Sequence, residues 1–135
     1  MRIRKIVTTG LVASGLVLFG AGNAWAASPT FNHSTTGGRF TGNYQFLPTG
    51  VSRGGFHFWG LLDDTTRDSN AMKVEVRVVG YPAKKYYAPR DADKYMDYTL
   101  TDPQATRVDY ARAKVCRDRG SLLADNCSTE ITYRR

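Results

Sequence analysis

Two cysteines and two histidines are nearly all that the chain holds of the side chains most catalytic and metal sites are built from. A disulfide-dense secreted scaffold, the usual plan of a small protease inhibitor, needs more cysteines. His33 stands alone, with no second ligand at metal spacing. No nucleophile sits beside a base, so no catalytic residue is assigned and the chain is not read as an enzyme. Asp63 and Asp64 are adjacent on a strand and point to opposite faces, so they do not flank one bond. Asp64, Asp68 and Asn70 lack the calcium-loop pattern, and Arg67 sits among the carboxylates. No metal and no cofactor is implied.

Long apolar runs are equally scarce. The one present lies at the start, where Arg2, Arg4 and Lys5 precede the apolar and small residues 6–22, and Ala24-Trp25-Ala26 follows. That is the plan of a signal peptide over residues 1–26, too short for a membrane span and ending in a cleavage site. Cleavage after Ala26 leaves 109 residues, one domain. The leader carries three of the 19 basic residues and no acid, so the net charge falls from +7 to +4. So mild an excess calls for no nucleic acid partner. The expected location is extracellular, with no membrane contact after cleavage.

Residues 72–79, M-K-V-E-V-R-V-V, give the strongest structural signal. Met72, Val74, Val76 and Val78 fall on one side and Lys73, Glu75 and Arg77 on the other, a strand with one buried and one water-facing side. Residues 39–47 alternate likewise, with Phe40, Gly42, Tyr44 and Phe46 together. In 56–63, F-H-F-W-G-L-L-D, both faces are largely apolar, so the strand is either covered twice or turned toward a partner; Gly60 marks a bulge or a close backbone approach. A polar hairpin loop is expected over 63–71, and a strand over 93–100 with Met96, Tyr98 and Leu100 inward. Over 106–117 the parity changes, which predicts a bulge near Tyr110. Thr129, Ile131 and Tyr133 alternate in a last strand. The expected fold is therefore all-β, an antiparallel sandwich of seven or eight strands and immunoglobulin-like size.

Cys116 and Cys127 both follow the leader, and a disulfide is the default pairing in an oxidising compartment. It would close a loop of about twelve residues, worth roughly 3 kcal/mol. Residues 27–38 have no period and are small and polar. They read as a flexible arm before a domain at 39–135, either a plain linker or a tail that orders on a partner through Phe31 or Arg39. Deleting that arm is expected to leave the melting temperature nearly unchanged. In 81–90, Lys84, Lys85 and Arg90 mix with Tyr86 and Tyr87, either a solvated connection or a binding loop.

G-L-L-D-D-T before the alternating strand, and V-D-Y-A-R-A-K-V-C-R-D-R-G-S-L-L-A-D-N-C-S near the end, resemble a group of small secreted actinobacterial proteins. The similarity runs over about residues 56–128, most specifically Cys116-Arg117-Asp118-Arg119-Gly120 with Cys127. It implies an all-β sandwich without catalytic residues. Proteins of this size and plan are also similar to the small adaptor subunits of secreted umbrella-shaped toxin particles, which join a lectin subunit to a toxin stalk.

The leading expectation is thus a non-catalytic protein-interaction module, an adaptor or subunit of an extracellular complex, binding other secreted proteins through Phe31, Arg39, Trp59, Tyr86 and Tyr87. A carbohydrate- or cell-wall-binding module is the alternative, suggested by Tyr and Trp beside Asp and Asn. A secreted protease inhibitor, presenting Arg53 or Arg90, is the third.

Overall fold

The structure is a computed structural model that describes residues 27–135, so the expected leader and its cleavage site lie outside the described residues. Nine strands build two antiparallel sheets: β1 His33–Thr35, β2 Gly38–Phe46, β3 Phe56–Asp64, β4 Ala71–Val78, β5 Lys84–Tyr87, β6 Lys94–Leu100, β7 Tyr110–Asp118, β8 Asn126–Cys127 and β9 Ile131–Arg134. The first sheet runs β1-β2-β3-β6. The second runs β5-β4-β7, with β8 and β9 both against β7. The all-β sandwich with one disulfide is what the alternating runs predicted.

The two inner faces are matched by size. The first sheet contributes Phe40, Phe56, Phe58, Leu62, Met96 and Leu100, and the second contributes Met72, Val74, Val76, Ala111, Ala113 and Val115. Bulky rings on one side thus meet shorter aliphatic side chains on the other, which suits the spacing of two packed sheets. Gly42 and Gly60 stand opposite each other on β2 and β3, and a Cβ on either would lie within 3 Å of the Phe40 ring and the facing backbone. Close backbone approach is therefore the reason for Gly60.

Several expectations are corrected. Residues 27–38 are not a free arm. Phe31 is completely buried, its N–H donates to the Gly42 carbonyl, and Tyr44 N–H donates to the Pro29 carbonyl. The chain then pairs as β1 with β2 through a two-residue turn in which Gly37 takes φ +95°. Buried residues at every second position, apolar Phe31 and polar His33, were too few to show as a period, yet they are what holds the segment down. The 63–71 segment is not a hairpin loop: β3 and β4 belong to different sheets, so it crosses between layers. Its carboxylates are engaged, with Asp68 on Arg117 and Asp64 accepting from the Thr66 and Arg67 amides. No bulge interrupts β7, which pairs with β4 residue for residue from Ala111 to Asp118. The parity changes because Val108 lies before the strand, buried in a loop and donating its N–H to Gly54.

Lys73 is the last correction. It belongs to the outer face of β4 but is only 3% exposed. The disulfide joins Cys116 on β7 to Cys127 on β8, and the chain between them brings Asp125 onto Lys73. Glu75 takes the same ammonium at 3.1 Å. Burial works against the Lys73 charge, but hydrogen bonds to Asp125 and Glu75 outweigh it and hold the ammonium pKa above its ordinary value. The same contact, above all, draws the Asp125 carboxyl down.

Candidate functional site

The outer face of the first sheet is set by the same alternation that fills the core. With Phe40, Phe58 and Leu62 inward, Thr41, Asn43, Gln45, His57, Trp59 and Leu61 must face out. Strand register then arranges them in rows across three strands. Thr41, Leu61 and Tyr95 stand abreast; Asn43, Trp59 and Asp97 follow; Gln45, His57 and Thr99 come next. Tyr95 is 62% exposed and Leu61 43%. A groove of about 450 Å³ passes over this face, lined by Asn32, Thr41, Asn43, Trp59, Leu61 and Tyr95.

Two contacts make the face rigid before anything binds. The Trp59 ring stacks on the His57 ring with centroids 4.7 Å apart, and His57 Nε2 lies 2.8 Å from the Asp97 carboxylate. At the far end Arg39 pairs with Asp63 at 3.0 Å. The result is an apolar and aromatic centre with amide, hydroxyl and charged groups around it. Such a surface desolvates cheaply in the middle and keeps hydrogen-bonding groups at its rim, the plan of a protein contact site.

The five residues expected to bind a partner are distributed over three environments. Trp59 and Arg39 lie on this outer face, although Arg39 already has Asp63. Phe31 is a core residue, with ring centroids 5.0 Å from Tyr133, 5.2 Å from Phe58 and 5.3 Å from Phe40. It therefore offers nothing to a partner. Tyr86 is likewise turned inward, stacked on Tyr98 at 4.1 Å; burial, then the neighbouring Tyr98, pushes its hydroxyl up to about 12. Tyr87 points the other way and is 42% exposed, but on the second sheet, with the Lys73 ammonium 5.8 Å above its ring. Leu61 and Tyr95 were missed as site residues. The parity of Trp59 already put Leu61 beside it, and Met96 inward implied Tyr95 outward. That β6 lies next to β3 was not readable.

One polar pair is buried in the core. The Tyr133 hydroxyl and His33 Nε2 share a hydrogen bond at 2.7 Å, and Nδ1 is buried without a partner among the described residues. Burial lowers the His33 pKa to about 4, and burial also raises that of Tyr133. Both groups are thus neutral near pH 7 and serve the packing of β1 rather than chemistry. Among the described residues no three His, Cys, Asp or Glu side chains are grouped so as to hold a metal ion. Compared with family models, with curated proteins and with solved structures, the chain finds no match.

Proposed function

We propose that this protein is a non-catalytic, secreted protein-interaction module, an adaptor or subunit of an extracellular complex, and that the outer face of the first sheet is its contact surface. The observation that carries the reading is the cluster of half-buried Trp59 with exposed Leu61 and Tyr95 on a preformed sheet face. Large apolar groups facing water on two adjacent strands, β3 and β6, favour association, because covering them releases their hydration. The likeness of residues 56–128 to small secreted actinobacterial proteins, and of the general plan to toxin-particle adaptors, supports the same reading. The partner is another secreted protein.

The sugar-binding reading keeps one specific support: Trp59 is flanked in its own row by Asn43 and Asp97, a ring platform with hydrogen-bonding groups on both sides. The double variant Leu61→Ser/Tyr95→Ser separates the two, since both side chains are exposed and their loss leaves the core intact. Capture from the native culture medium, read by mass spectrometry, should return a defined protein with the parent chain and lose it with the variant. Retention of the protein by the variant overturns the proposed surface. Binding of soluble polysaccharide by the parent, with no protein captured, replaces the reading by the sugar-binding one.

A further inference from the structure

The second sheet presents a different chemistry on its own outer face. Arg77 of β4 and Arg112 of β7 stand directly opposite each other. Like charges in that position repel, so an antiparallel pair of this kind needs an anion between the two guanidinium groups. The chain supplies one carboxylate for both. Glu130 Oε1 lies 2.7 Å from Arg77, and the same oxygen is 3.8 Å from Arg112, beyond hydrogen-bonding reach. The Nε atoms of both arginines are buried without a partner among the described residues. One negative charge is thus shared by two positive ones, and Arg112 and a third cation, Arg134, both lie close to the Tyr110 ring, at 5.7 and 5.8 Å from its centroid.

Beside this pair is a space that could admit a ligand. A cavity of about 360 Å³ is lined by Arg77, Arg112, Tyr110, Gly80, Tyr81 and Pro82. A second, more apolar cavity of about 430 Å³ shares Val78, Tyr81 and Pro82 with it and continues to Leu100 and Pro103. Tyr81 forms the wall between them. Its hydroxyl donates to Asp102, which also accepts the Gln104 amide, so the wall is fixed to the loop that closes the apolar side.

We infer that Arg77 and Arg112 form a binding site for a free carboxylate carried on an apolar residue, as at the C-terminus of a peptide with an apolar last side chain. The guanidinium pair takes the carboxylate, where planar donors match its two oxygens. The adjoining cavity at Val78, Pro82 and Leu100 takes the side chain. Glu130 offsets part of the charge of the two half-exposed arginines until a better placed carboxylate arrives and competes with it. This site lies on the opposite sheet from the Trp59 face and does not depend on it.

The test is an NMR titration of the purified protein with a tripeptide ending in phenylalanine, as the free acid and as the C-terminal amide, with hexanoate as a third probe. The free acid should move the Arg77 and Arg112 side-chain signals and that of Val78, and should bind at least tenfold more tightly than the amide. Arg112→Gln should weaken the free acid at least tenfold without lowering the melting temperature, because it removes one of two opposed charges. Glu130→Gln should strengthen it severalfold by freeing both guanidinium groups, a gain that a merely structural role would not give. Hexanoate binding as tightly as the peptide supports the site and identifies a small carboxylic acid as its source; weaker binding identifies a peptide terminus. Equal binding of acid and amide, unmoved arginine signals, or weaker binding by Glu130→Gln would overturn the assignment.

Discussion

Phe31 is the side chain that fastens the start of the described chain to both sheets. Its ring meets Phe40 and Phe58 of one layer and Tyr133 of the other. Replacing it by alanine removes a fully buried aromatic group and leaves a cavity, so Phe31→Ala should cost about 3–5 kcal/mol in a denaturant titration. His33, two residues on, adds a dependence on acidity. Its ring titrates near 6.5 when unfolded and at about 4 when folded. Between those values the unfolded chain binds the extra proton, so stability is full above about pH 6.5 and falls as the pH drops toward 4. The loss should be on the order of 3 kcal/mol, since each pKa unit is about 1.4 kcal/mol. His33→Gln, which cannot take up that proton, should flatten this slope in melting curves recorded from pH 7 to pH 4. An unchanged slope would place the acid sensitivity elsewhere.

Among the elements, β2, β3, β4 and β6 were legible in the sequence, because each alternates over seven residues or more and buries one side. Of the shorter strands, β9 was legible from the alternation of Thr129, Ile131 and Tyr133, and β1 and β5 were not. β1 has three residues and β5 four, too few for a period to stand out from a polar loop. Each is placed by pairing with a longer neighbouring strand, β2 for one and β4 for the other. Removing residues 27–35 should therefore lower the melting temperature by tens of degrees. A truncated chain that melts like the parent would restore the picture of a loose arm. The disulfide was legible from two cysteines in a chain read from its leader as exported, but not what its loop covers. Reduction should cost roughly 3 kcal/mol and loosen the segment that holds Asp125 over Lys73. Faster hydrogen exchange at residues 119–127 after reduction, with β7 itself unchanged, would show it.

Taken as a whole molecule, the sandwich separates two surfaces by the thickness of its core. The outer face of the first sheet is apolar and aromatic around Trp59, Leu61 and Tyr95. The outer face of the second is a lattice of charges, with Lys73, Lys114, Arg77 and Arg112 around Glu75, Asp125 and Glu130. Trp59 was readable as an outward-facing ring from a strand with two apolar faces. Which residues join it depended on sheet order, and that is a long-range property no local pattern carries. A module with unlike faces on opposite sides is suited to joining two partners. The contact we propose is a rigid face already formed, not a segment that orders on binding. In a chain begun at Ala27, Trp59 is the single tryptophan, so 5-fluorotryptophan labelling gives one fluorine resonance for that face, whatever the partner contains. On forming the complex with the protein captured from the culture medium, that resonance should shift and lose its sensitivity to exchange of H2O for D2O. A resonance that stays in place and stays solvent-exposed in a verified complex would contradict the account.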